Sequence, residues 1–292
     1  MFTRVVSYAQ QDAQFTQYMY NTIHINPAYA GSRGAISIFA LYRTQWVGLD
    51  GAPVTSTVSM NTPLNESNLA LGVSLINDKI GPTTENAISA DLSYTISTSE
   101  TWQLAFGIKA TANLFDLDAT KLNSVDAKDP SLHNYSKFSP NIGVGIYWHS
   151  DNAYIGFSVP NFIETNRYDD NEFVIFKERI SYYLIGGLVF DLNDSVKFKP
   201  AFITKIVGGA PLQVDFAGNF MFYDKFMLGV SYRWSAALSA MVGFQATDNW
   251  FIGYGYDQET TRLSNYNSGS HELFLRYELF NKYDRIISPR FF

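Results

Sequence analysis

Residues 87–96, AISADLSYTI, alternate without a break: Ile88, Ala90, Leu92, Tyr94 and Ile96 fall on one side, and Ala87, Ser89, Asp91, Ser93 and Thr95 on the other. A strand turns successive side chains to opposite faces, so this stretch has one oily face and one wet face. The next segment repeats the pattern, with Leu104, Phe106, Ile108, Ala110 and Ala112 against Gln103, Gly107, Lys109, Thr111 and Asn113. Further on, Leu212, Val214, Phe216, Phe220 and Phe222 oppose Gln213, Asp215 and Asn219, while Phe226, Leu228, Val230, Tyr232 and Trp234 oppose Ser231 and Arg233. The period of two places about fourteen strands, near 34–43, 54–61, 69–77, 86–97, 102–113, 140–148, 153–159, 178–190, 196–204, 212–222, 225–235, 237–247, 249–257 and 270–280.

The breaks between strands fall into two classes. Residues 98–101, 149–152, 191–195, 223–224 and 247–249 are tight and rich in Asp, Asn, Ser and Thr, as turns are. Residues 44–53, 78–85, 114–139, 160–177, 205–211 and 258–269 are mostly longer. Two breaks depart from the alternation, 63–68 being long for a turn and the one near Ser235 short for a loop. Short turns at one end and long loops at the other are how an outer-membrane barrel is written. The expected fold is therefore all-β: a closed antiparallel transmembrane β-barrel with short periplasmic turns, long extracellular loops and both termini in the periplasm of a bacterial outer membrane.

Composition agrees with that reading. Charged residues make up 16% of the 292, against roughly 25% in an ordinary soluble domain. Aromatics also reach 16%, with 23 Phe and 19 Tyr, enough to furnish both interfaces of a lipid-facing band. A β-sandwich or propeller would need more charge on its outer faces, and a propeller a repeat of roughly 40–50 residues, which is not seen. No run approaches the roughly 18 apolar residues of a spanning helix, which excludes a helical membrane protein. A net charge of −6 without a basic run argues against nucleic-acid binding, and the absence of cysteine removes disulfides, thiolate chemistry and Cys-based zinc sites.

Along the chain, residues 1–9 resemble the end of a signal peptide, with Arg4, the pair Val5–Val6 and the small-x-small Ser7–Ala9 before Gln10. Residues 10–33 carry no charge between Asp12 and Arg33 but hold Phe15, Tyr18, Tyr20 and Tyr29. Too polar for lipid and too aromatic for water, this segment is expected to pack inside the barrel as a plug or against a periplasmic partner. The barrel then spans 34–280, and 281–292 form a periplasmic tail.

Chemistry is sparse. His24, His133, His149 and His271 form no i+2 or i+4 pair, no G-x-S-x-G motif occurs, and Asp126, Asp129, Asp169 and Asp170 lack the spacing of a calcium loop. The sequence thus offers no catalytic residue, metal site or cofactor. Ionisable residues within strands are more informative: Asp91, Lys109, Arg179, Lys197, Lys199, Asp215, Arg233, Glu272, Arg276 and Glu278. A Lys or Arg facing lipid at the midplane costs roughly 2–4 kcal/mol, so these side chains belong in the lumen or at the rim. Asp91, Lys109, Asp215 and Arg233 lie on the polar phase of their strands, and a polar lumen follows, either watered or filled.

A set of short motifs gives the chain a resemblance. They are QDAQFTQYM at 11–19, NPAYAG at 26–31, RTQWVGLDGAP at 43–53, NDKIGP at 77–82, PNIGVG at 140–145, SVPN at 158–161, GVSYR at 229–233, GYGYD at 253–257, GSHE at 269–272 and SPRFF at 288–292. In this order the chain resembles the PorP/SprF family, outer-membrane proteins associated with type IX secretion and gliding motility in Bacteroidetes. The resemblance implies a non-enzymatic role in the export or surface anchoring of a cargo protein, notably an adhesin with a type B C-terminal sorting domain. It implies as partners outer-membrane lipids, that cargo, and periplasmic or peptidoglycan-binding components of the secretion system.

On that reading the folded end of the cargo is gripped by the external loops while its last residues enter the barrel mouth. The loop aromatics Phe115, Tyr135, Phe138, Phe162, Tyr168 and Phe173 would form the grip, since aromatics are enriched among binding hot spots. The 43–53 loop would fold inward so that Trp46 and Asp50 meet Arg233 or the Asp257 rim. Arg43, Asp91, Lys109 and Glu272 complete the expected lumen and rim contacts. Two other readings stand beside this one: a passive channel or porin, and a barrel lipid hydrolase, which would need a Ser and a His on facing strands with an orienting third group.

Overall fold

The computed structural model describes residues 18–64, 67–121, 134–170, 173–177 and 179–279. The expected signal end, Phe15 and the tail lie outside them. The strands are β1 (Ile36–Thr44), β2 (Val54–Pro63), β3 (Leu69–Ile80), β4 (Thr83–Ser97), β5 (Gln103–Leu117), β6 (Tyr135–His149), β7 (Ala153–Val159), β8 (Asn166–Asp170), β9 (Phe173–Lys177), β10 (Ser181–Leu188), β11 (Phe190–Asn193), β12 (Val196–Val207), β13 (Gln213–Phe222), β14 (Phe226–Arg233), β15 (Ala237–Gln245), β16 (Trp250–Glu259) and β17 (Ser270–Leu279). β8 and β9 pair only with each other, as a hairpin between β7 and β10.

The others form one antiparallel sheet that closes on itself: β1 pairs with β17, and β10 pairs with both β7 and β12. β10 and β11 are two pieces of one course, interrupted at Val189 in the stretch where Pro200 of β12 has no N–H to give. The wall therefore has fourteen courses. Closure leaves no open edge around the ring, which is what a sheet surrounded by hydrocarbon requires.

Exposure runs opposite to that of a protein in water. On β4, Ile88 is 53% and Tyr94 48% exposed, while Asp91 and Ser93 are buried at 2% and 0%. The same inversion runs through β5, β6 and β13–β16, where Ile108, Ile142, Phe216, Val230, Leu238 and Ile252 all face outward. A closed wall with an apolar exterior and a polar interior is a membrane barrel. Near the ends of the strands that lead into the short turns, Trp102 packs tilted against Trp148 at 4.4 Å and Trp250 against Tyr277 at 4.6 Å. Rings with an apolar body and a polar tip suit a lipid–water interface.

Several boundaries differ from the sequence reading. Residues 78–85, expected as a loop, carry β3 to Ile80 and start β4 at Thr83, so that Asn77 faces Asn86 and Asp78 faces Glu85 across a two-residue turn. Likewise β5 runs to Leu117 and β6 begins at Tyr135, which moves Phe115, Tyr135 and Phe138 from a loop onto strands. β6 pairs with β7 only from Val144 onward, and a proline costs no ladder bond on an unpaired edge, so Pro140 does not end the strand. Finally, the 178–190 strand begins at Ser181 and its course continues to Asn193. Tight turns at the other end are formed as expected; Tyr223 and Asp224, at φ 54° and 50°, are the left-handed pair in the three-residue turn between Phe222 and Phe226.

Candidate functional site: the occupied lumen

Residues Tyr18–Gly31 lie inside the barrel. A short helix, α1 (Thr22–Ile25), is followed by a 3-10 turn at Pro27–Tyr29. Tyr18, Met19, Tyr20, Ile23, Ile25, Ala28, Tyr29 and Ala30 are all buried against the wall. Asn26 shapes the bend: its side-chain oxygen accepts from the Ala28 N–H at 3.0 Å, and its amide donates to the Ile146 carbonyl of β6 at 3.0 Å. Further bonds tie the segment to β2 and β4. Ser59 donates to Asn21 at 3.0 Å, Ser93 to the Ala30 carbonyl at 2.8 Å, and the Gly31 N–H to Asn61 at 3.1 Å.

On one side the wall is cut back to admit this segment. A Cβ on Gly107 would meet the backbone of Pro27 and Ala28, one on Gly145 the Asn26 side chain, and one on Gly72 the Ile23 side chain. On the opposite side the wall advances. Tyr20 lies 4.7 Å from the Phe274 ring and 5.7 Å from Phe251, with the Arg276 guanidinium 5.9 Å above it. Burial pushes the phenols of Tyr18 and Tyr20 well above their ordinary range, so both are neutral in the lumen.

The buried charges are placed where the strand phase put them. Lys109 Nζ sits 3.2 Å from Asp91 and donates to the carbonyls of Ile23 and His24 at 3.1 and 3.3 Å, joining β5, β4 and the inner segment. Arg43 bridges two strands, 2.7 Å from Asp257 and 3.0 Å from Glu272. Arg233 pairs with Asp215 at 2.9 Å. Arg33 pairs with Glu278, which Arg276 also approaches at 3.7 Å.

The other expected residues are placed differently. Trp46 donates its indole N–H at 3.0 Å to Glu259, two residues beyond Asp257 on the same inward phase of β16, and its backbone N–H to Ser270 Oγ at 3.2 Å. Asp50 is exposed. The cause is the backbone. Trp46 at φ 45°, Gly48 at 101° and Gly51 at 72° bend the loop, and bonds between Val47 and Gly269, Ser268 and Val47, and Gly81 and Gly51 pin it to neighbouring connections. Of the expected grip, Phe115 is buried, Phe138 faces outward at 59% exposure, and Phe162 remains in a loop, while Tyr168 and Phe173 lie on the β8–β9 hairpin.

Residues 7–277 match the family described as type IX secretion system membrane protein PorP/SprF. The chain belongs to that family. No curated protein matches it. Among solved structures it is similar to the TodX deltaS2S3 mutant monoaromatic hydrocarbon channel, at 9% identity and a TM-score of 0.52, over 87% of this chain and 92% of that one. It is also similar to the CymD monoaromatic hydrocarbon channel, at 10% identity and 0.47 over 89% and 99%, and to the KdgM porin, at 9% and 0.40 over 84% and 99%. At these identities the likeness to TodX is one of fold alone.

In this PorP/SprF barrel the motifs read from the sequence meet in two places. NPAYAG, PNIGVG and SVPN converge at the inner segment: Gly145 makes room for Asn26, Gly143 for the backbone of Pro160, and Asn141 exchanges bonds of 3.0 and 2.9 Å with the Ile163 carbonyl and N–H. The 158–163 stretch is thereby folded over the inside of β6 as a strap. RTQWVGLDGAP, GYGYD and GSHE converge at the Arg43 cluster and the pinned loop. Sequence reasoning missed Asn26, Asn141 and Glu259 as contacts; the Asn26–Pro27 turn signal was the visible trace of the first.

Proposed function

We propose that this barrel is a non-enzymatic anchor that holds, or assists the export of, a secreted cargo protein of the type IX system at the cell surface. The observation that carries the reading is the lumen itself. Tyr18–Gly31 act as a plug, tied to β2, β4, β5 and β6 by hydrogen bonds and fitted to glycine-bared wall. Such a filling narrows the path that a wide aqueous channel needs, whereas a platform that binds protein gains rigidity from it.

The orientation belongs to the same proposal. Both the start of β1 and the end of β17 lie at the end with the short turns, which in outer-membrane barrels is the periplasmic one. The strap, the β8–β9 hairpin and the pinned 45–53 loop then face the cell exterior, where cargo arrives. Periplasmic or peptidoglycan-binding partners would meet the opposite end.

The test is to purify the tagged protein from native membranes in mild detergent and identify what accompanies it by mass spectrometry. The reading predicts a stoichiometric surface protein with a C-terminal sorting domain. A lone barrel that conducts ions would replace it with the porin reading.

A further inference from the structure

Between the plug and the strap lies a pocket that opens toward solvent at the loop end. Its floor is His24 and Ile25 of the plug, its side is Pro160 and Asn161 of the strap, and its wall includes Ala87 and Thr111. The floor is fixed, because Lys109 grips the carbonyls of Ile23 and His24 while paired with Asp91. The strap is fixed by Asn141. The wall side chains are held as well: Thr55 donates to Asp78 at 2.6 Å and Asn113 to Glu85 at 2.6 Å, both carboxylates lining the space.

We infer that this pocket is the seat for one end of an extended polypeptide belonging to the anchored surface protein; the inference rests on the anchor reading above. Three features select that occupant. The pocket is a dead end, closed below by the plug, so it accepts a chain terminus and not a chain in transit. From Glu85 to Ser89 it follows five residues of β4, four steps and about 13 Å of strand rise, which matches about four residues of extended chain. Its lining combines apolar groups, Ile25, Ile76 and Pro160, with a larger number of hydrogen-bonding ones, which suits a peptide backbone with its side chains better than a hydrocarbon or a bare ion.

The test uses the complex as it is purified from native membranes. A photo-reactive residue is placed in the pocket as Ala87→p-benzoylphenylalanine, with Thr111→p-benzoylphenylalanine as a second variant should the first not assemble. After irradiation the adduct is mapped by mass spectrometry. An adduct on a terminal segment of the copurifying surface protein is the expected result. An adduct on an interior segment, or none while that protein still copurifies, would overturn the pocket assignment and leave the anchor standing. If no surface protein copurifies with the wild-type barrel, both fall.

Discussion

The two sides of the lumen hold the same plug by different means. From β3 to β7 the wall recedes to bare backbone at Gly72, Gly107 and Gly145, and the plug sits against it in van der Waals contact and through hydrogen bonds to main-chain groups. From β12 round to β17 the wall advances with Met227, Met241, Phe251, Phe274 and Arg276, and its glycines are covered by neighbouring side chains instead; a Cβ on Gly243 would meet the far end of the Phe251 ring at 2.5 Å. Backbone cannot move aside and a ring can. The first arc therefore recognises the plug by shape, the second by filling volume.

The strongest challenge to the second arc is its ion cluster. Arg43→Ala leaves Asp257 and Glu272 buried without the guanidinium they share, and loss of one partner from a buried pair costs about 3–5 kcal/mol. Thermal unfolding in detergent should show the loss; an unchanged midpoint would mean that the cluster is hydrated and does not brace β1, β16 and β17.

Next in size is Gly107→Ala. The added methyl meets the backbone of Pro27 and Ala28, and overpacking of this kind costs about 1–3 kcal/mol. Because the strain falls on the plug, limited proteolysis should cut residues 18–31 in the variant and spare them in the wild type. Equal resistance in both would show that the plug is not held by shape on this side.

The smallest effect separates the arcs. Gly243→Ala adds the same methyl on the other side, where Phe251 can turn away, and its cost should stay at the low end, about 1 kcal/mol, without exposing the plug to protease. If Gly243→Ala released the plug as readily as Gly107→Ala, the contrast between shape and filling would be lost.

How much of this the sequence displayed follows from where each residue's constraint comes from. The lipid imposes a period of two on every course, so the wall and the inward phase of Asp91, Lys109, Asp215 and Arg233 were legible. The Asp91–Lys109 pair is nearly legible too, since the two are direct cross-strand partners in adjacent strands. Beyond the lipid the period stops being enforced: Asn77, Asp78, Glu85 and Asn86 look like a loop because water accepts polar groups on both faces, yet the ladder continues through them. Arg43 with Asp257 and Glu272 joins positions over 200 residues apart and needs the closed ring to exist first. The fit of Gly107 and Gly145 to the plug needs the plug in place, and nothing in a glycine's letter says what it makes room for.

The central claim is that the chain's own residues fill the lumen, and the most direct measurement is single-channel recording of the purified wild-type protein in planar bilayers. The account predicts a quiet bilayer, with no stable conductance steps at moderate voltage. Regular, long-lived steps from the intact protein would contradict it and return the barrel to the passive channels.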